Sequence, residues 1–234
     1  MNFLNRLFHS SLGKKYVMAI SGGALFLFVL AHMLGNLQIY LGPEVINAYG
    51  DFLQKTPEIL WPARLGLLGL VGLHIYCAIN LAAENKAARP IPYDAPVFPS
   101  ATFASRTMLI SGLVILSFVI YHLLHFTVMA RAINLTHQDF ATLVDSKQRH
   151  DVYRMMVIGF RNPVVSFFYI LSMSLLYLHL SHGVSSMFQS LGWKKRTYAG
   201  LIGGFARGIS LVIFLGNCSI PISILLGILP DKPI

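Results

Sequence analysis

Charge is what this sequence has least of. Only 12% of its 234 residues are Asp, Glu, Lys or Arg, against 55% hydrophobic residues and a mean hydropathy of +0.64. A soluble domain of that composition would have too little polar side-chain surface to face water, and a disordered chain would need far more charge. Both are excluded, and the composition points to an integral membrane protein. Cysteine is scarce as well: Cys77 and Cys218 lie in apolar stretches, with no C-x-x-C and no C-x-x-C-H. That excludes a disulfide scaffold, a thiolate-bound cluster and covalently attached haem. A glycine-rich nucleotide fingerprint is also missing. The eighteen Lys and Arg against nine Asp and Glu would suggest nucleic acid in a soluble chain, but in a membrane protein they decide orientation, and no nucleic-acid partner is expected.

What the sequence does have is five long apolar runs, at about 16–40, 62–83, 106–130, 163–188 and 200–229, each able to cross a hydrocarbon core of roughly 30 Å as a helix. None has Asp or Glu in its interior. The breaks carry Gly42-Pro43, Pro57, Arg89-Pro90-Ile91-Pro92, Asn162-Pro163 and Gly192-Trp193. The expected fold is therefore a single all-α transmembrane domain over 1–234. Residues 1–12, with Arg6 and His9 among Phe3, Leu4, Leu7 and Phe8, read as an amphipathic helix lying on the membrane surface. The connection 131–162 is polar with interleaved apolar residues and predicts a short helix over the outer mouth. Ten of the eighteen basic residues (Arg6, Lys14, Lys15, Lys86, Arg89, Arg106, Lys194, Lys195, Arg196, Arg207) but only Glu84 and Asp94 of the nine acids fall on one side. Basic loops stay inside, so the N-terminus is expected in the cytoplasm and the C-terminus outside.

Six of the nine histidines fall within these runs: His32, His74, His122, His125, His179 and His182. Ionisable residues inside a membrane are costly and mark function by default. At about 1.5 Å per residue, His32 and His122 both lie roughly 23 Å from the inner surface. His74 and His179, on helices running the other way, lie roughly 6 to 12 Å from it. Two facing pairs at two depths are what two stacked bis-histidine haems require, because low-spin haem iron takes one axial nitrogen from each side. Zinc would prefer histidines mixed with carboxylates or thiolates converging at one point, whereas these spans lack carboxylates and place their histidines at two levels.

Small residues at Ser21-Gly22-Gly23, Gly66, Gly69, Gly72 and Gly112 leave room for a flat cofactor near the backbone. Gly200, Gly204 and Gly208 form a double G-x-x-x-G, which predicts close helix packing of a structural fifth span.

These residues resemble a known family, the five-span dihaem cytochrome b membrane subunit of succinate dehydrogenases and fumarate reductases. The likeness runs over essentially the whole chain. Its most specific part is the stretch from His179-Leu180-Ser181-His182-Gly183 to Gly192-Trp193, with Phe118-Val119-Ile120-Tyr121-His122 preceded by Gly112 as the third-helix motif. The resemblance implies a five-helix bundle enclosing two stacked haems b, the outer held by His32 and His122 and the inner by His74 and His179. It implies a bacterial cytoplasmic membrane, and as partners a flavoprotein subunit where succinate and fumarate interconvert and an iron-sulfur subunit. The dicarboxylate chemistry would then lie in a partner, and the complex can assemble into a higher oligomer. This chain would carry electrons between the iron-sulfur subunit and membrane quinone, menaquinone or ubiquinone. Some members carry a membrane carboxylate near the fourth-helix ligand; here Tyr177-Leu178-His179 has none.

His125 and His182 stand three residues after their neighbours, where each could meet a propionate or quinone or cap a helix end. Candidate quinone contacts are Asp51, Glu58, Arg64 and His125 on the outer side, and His9, Ser10, Lys14 and His182 on the inner.

Overall fold

The computed structural model describes residues 7–88 and 103–230. Among these the chain is helical apart from short turns and one longer irregular connection, residues 128–151, which holds a 3-10 turn, Phe140–Thr142, and an isolated bridge between Val144 and His150. Seven helices carry the fold: α1 (Ser11–Asn36), α2 (Pro43–Lys55), α3 (Pro57–Ala87), α4 (Met108–His122), α5 (Val152–Arg161), α6 (Pro163–Ser190) and α7 (Ala199–Leu225). Five stretches are long and apolar enough to cross a membrane, namely Ser11–Leu41, Pro57–Ala87, Met108–Thr127, Pro163–Ser190 and Arg196–Leu225. Helix is the natural state of such runs, because lipid offers no partner for an open backbone N–H or C=O. The protein is thus an all-α protein of membrane-spanning type.

The ends of the helices follow from local chemistry. A 3-10 turn, Leu37–Leu41, extends α1 and stops at Gly42, whose φ of +97° is costly for any residue with a Cβ. Pro43 then opens α2, where its missing N–H is no loss, with Glu44 in the first turn and Lys55 in the last, each suited to the helix dipole. Asp151 caps α5 by accepting from Arg154 N–H at 3.0 Å. Asn162 caps α6 through Val164 N–H at 3.0 Å. Beyond His122 the backbone widens into a π turn, Leu123–Thr127, closed by Val128 N–H to the Leu123 carbonyl at 2.8 Å. Such turns recur at functional sites.

Three expectations need adjusting. The break after the first span contains an unexpected helix, α2, whose apolar face buries Ile46. Gly200, Gly204 and Gly208 pack against nothing among the described residues, since a Cβ at any of them meets no such atom within 4 Å. The close helix packing expected of the double G-x-x-x-G is therefore not met among the described residues, from which the stripe faces away. Of the surface helix expected over 1–12, residues 1–6 lie outside the described residues, and Ser11 and Leu12 already belong to α1. The short helix expected within 131–162 is α5. The proline-rich connection around Pro90 to Pro99 also lies outside the described residues.

Backbone contacts divide the chain into two compact units. The first is drawn from Met1–Phe28, Ala63–Gly112 and Leu178–Ser210. Here Lys14, buried on α1, is ion-paired with Glu84 of α3, which also accepts from Ser11 Oγ at 2.7 Å. The absence of a side chain at Gly23 lets Met187 of α6 approach, its Sδ 2.9 Å from where a Cβ would stand.

The second unit is drawn from Val29–Pro62, Leu113–Tyr177 and Leu211–Ile234. Its core joins Ile39, Ile46, Phe118, Val157, Phe160, Tyr169 and Ile220. Buried Asn47 pins α2 to α5, accepting from Tyr153 N–H at 2.9 Å and donating to Asp151 at 3.0 Å. Tyr153 in turn donates its hydroxyl to the Pro230 carbonyl at 3.1 Å. Gly216 of α7 sits directly against the Met33 sulfur.

Candidate functional site

Each unit contains one facing pair of histidines from two membrane-span helices. In the second unit the rings of His32 (α1) and His122 (α4) have centroids 5.6 Å apart with planes at 88°. In the first, His74 (α3) and His179 (α6) stand 6.5 Å apart with planes at 59°. Two imidazoles that each place a nitrogen about 2 Å from one metal between them have ring centres roughly 6 Å apart. Both spacings fit that requirement, which fixes the direction of each nitrogen and leaves the relative twist of the two planes free.

The neighbours of the rings decide which nitrogen is available. Ser21 Oγ lies 3.3 Å from Nδ1 of His74 and spends its own proton on the Val17 carbonyl at 2.8 Å. Ser111 Oγ lies 3.2 Å from Nδ1 of His179 and donates to the Met108 carbonyl at 3.0 Å. A hydroxyl whose proton is committed can only accept. Nδ1 is therefore the protonated nitrogen in both rings, and Nε2 keeps its lone pair for a metal. A hydrogen-bonded Nδ1 with a free Nε2 is the arrangement metal-binding histidines adopt. His122 has the same contact from a phenol, Tyr169 Oη, at 3.3 Å.

Glycines let the rings lie where they do. A Cβ on Gly22 would stand 3.0 Å from Cε1 of His74, and one on Gly112 would stand 3.6 Å from Cε1 of His179. Gly66, Gly69 and Gly72, also expected to make room for a cofactor, border nothing within 4 Å. The four paired histidines all retain accessible surface. His125 does not: its ring is completely buried, with Phe126 at 4.0 Å and Phe140 at 5.7 Å between centroids. A planar cofactor has no access to it. His182 is engaged at Nε2 itself by Ser186 Oγ, 3.0 Å away. The donor set thus fits iron held between His32 and His122 and between His74 and His179. No three His, Cys, Asp or Glu converge to hold a metal ion among the described residues.

The remaining candidates lie at or just before the start of α1 and on α2 and α3. Asp51 pairs with Lys55 on α2 at 2.8 Å, while Glu58 and Arg64 are exposed on α3. His9 is exposed, Ser10 accepts from Gly13 N–H at 3.0 Å, and Lys14 is taken by Glu84. The sequence reading passed over the hydroxyls that set the tautomers. Ser21 counted there only as a small residue, and Ser111 and Tyr169 were not singled out; the one signal was a hydroxyl on an otherwise apolar helix. No family model, curated protein or solved structure matches this chain. Fold and site together define an all-helical protein with five helices able to cross a membrane and one histidine pair in each of its two units.

Proposed function

We propose that this chain is the membrane anchor and electron-transfer subunit of a succinate:quinone oxidoreductase, with His32/His122 and His74/His179 holding two haems b. The observation that carries the reading is the pairing of four histidines from four helices, with hydroxyls engaging Nδ1 of His74, His179 and His122 and thereby directing Nε2 toward a metal. When bound, haem b supplies a reversible one-electron couple. The chain's own residues hold the iron, fix the ring orientation through Ser21, Ser111 and Tyr169, and surround the pairs with apolar side chains. An iron-sulfur subunit and a flavoprotein subunit would stand on the cytoplasmic side, where the basic residues collect, and membrane quinone would be the other reactant. The same geometry serves a quinol:fumarate reductase anchor working in the opposite direction, and the direction is read from rates with succinate and with quinol.

A pyridine haemochrome assay on the purified chain should give two haems b, and purification from native membranes should bring flavin and iron-sulfur centres with it. One haem or none sinks the reading, and a histidine-lined carrier without haem would show no Soret band. Two haems without flavoprotein would make the chain a stand-alone dihaem cytochrome.

A further inference from the structure

One phenol serves two histidines. Tyr169 Oη lies 3.0 Å from Nδ1 of His125 and 3.3 Å from Nδ1 of His122, and all three side chains belong to the second unit. A phenol has one proton to donate. If Tyr169 gives it to His122, then His122 carries its own proton on Nε2 and cannot bind a metal there. If Tyr169 gives it to His125, it can accept from Nδ1–H of His122, and Nε2 of His122 keeps its lone pair.

Only the second arrangement leaves His122 able to bind a metal through Nε2, and His125 is placed to take the phenol proton. Its ring has no exposed surface, and Nε2 has no hydrogen-bond partner. Aromatic rings enclose it, with centroids at 4.0 Å for Phe126, 5.4 Å for Tyr121 and 5.7 Å for Phe140. When Nε2 of His122 is the ligating nitrogen its proton sits on Nδ1, so Tyr169 accepts there and has its own proton free for Nδ1 of His125. The shorter of the two Tyr169 contacts is the one to His125, as this assignment requires. Gly159 keeps the ring in place, since a Cβ there would stand 3.2 Å from Cε1.

We infer that His125 is a positioning residue: it draws the Tyr169 proton to itself and so sets His122 in the tautomer that binds iron. The inference rests on the haem-binding reading above. It accounts for a second histidine one turn from a ligand without giving it a ligand, propionate or quinone of its own.

The test uses the full chain in membranes, with the haem at His74/His179 as an internal control for folding. His125→Leu removes the acceptor, so Tyr169 turns its proton to His122, and the haem at His32/His122 should fall roughly five- to tenfold in retention, the worth of one hydrogen bond. His125→Asn places an amide oxygen near the old Nδ1 and should restore it. His125→Leu combined with Tyr169→Phe should also regain haem relative to the single variant, because no phenol proton then competes. Tyr169→Phe alone leaves Nδ1–H of His122 without an acceptor. That lowers the basicity of the ring and should raise the reduction equilibrium of this haem about tenfold, or about 59 mV for one electron. A purely structural role predicts that the double variant is worse than either single. Unchanged haem in His125→Leu, or no recovery in the double variant, overturns the inference while two haems in the unaltered chain leave the functional reading standing. Absence of haem from the unaltered chain overturns both.

Discussion

Ser111 Oγ accepts from Nδ1 of His179 at 3.2 Å while giving its own proton to the Met108 carbonyl at 3.0 Å. The helix backbone of α4 thereby dictates the tautomer of a ring on α6. Losing such an outer contact to a metal-binding histidine typically costs 10- to 100-fold in metal affinity. Ser111→Ala should therefore weaken haem retention at His74/His179 by that order and leave the His32/His122 spectrum unchanged. Difference spectra during mild haem extraction measure both; equal loss from the two pairs would contradict the assignment.

Gly22 and Gly66 offer a matched comparison. A methyl at Gly22 stands 3.0 Å from Cε1 of His74, so the ring must shift by a few tenths of an ångström. At Gly66 nothing lies within 4 Å, and alanine brings only its better helix propensity. Gly22→Ala should cost about 1–3 kcal/mol as overpacking and perturb the His74/His179 haem. Gly66→Ala should be neutral or stabilising by up to about 1 kcal/mol. Thermal melts in detergent with Soret detection separate the two, and equal effects would remove the reason given for glycine at position 22.

These contrasts show what could be read from the residues and what could not. The spans were legible because lipid demands about 20 apolar residues per crossing and forbids open backbone. The pairing of His32 with His122 and of His74 with His179 was legible because depth follows from counting along a helix. The rotation of each helix about its axis was not. Ser21, Ser111 and Tyr169 reach their histidines only for particular rotations, and so does the outward turn of Gly200, Gly204 and Gly208. The helix α2 is hidden in the sequence because Gly42-Pro43 reads as a break between spans. Glycine before proline equally opens a helix, and Glu44, Ile46 and Lys55 carry the supporting pattern.

Asn47 offers a test of the second unit that does not involve the histidines. Its amide accepts the buried Tyr153 N–H at 2.9 Å and donates to Asp151 at 3.0 Å. Asn47→Ala leaves groups on both sides without their partner, at about 1–3 kcal/mol for each one buried. Asn47→Asp should be worse, because it sets a carboxylate against Asp151 and against Asp145, whose oxygen is 3.5 Å from the amide nitrogen. Limited proteolysis of the segment around α5 reports this directly, and wild-type resistance in Asn47→Ala would refute the pinning role.

The loop around Arg149 should weaken in two steps as pH falls. His150 lies below its ordinary value of 6.5 chiefly because burial disfavours its charged form, with a hydrogen bond to the Leu143 backbone and the charge of Asp151 acting the other way. Its folded form resists the proton that the unfolded chain accepts, so stability is complete above 6.5 and declines as pH falls from there toward the folded value. Glu44 is held below its ordinary 4.5 by hydrogen bonds from Arg149 and Lys147. Its contribution is present above 4.5 and is lost as pH falls through the depressed folded value. The first step belongs to a half-buried ring and should persist in salt better than the second, whereas Glu44 is exposed and its step should shrink as salt screens the pairs. Hydrogen exchange of residues 143–151 as a function of pH resolves the two steps. His150→Gln should remove the upper one and Glu44→Gln the lower; a profile still showing both steps in either variant would show that other groups govern the loop.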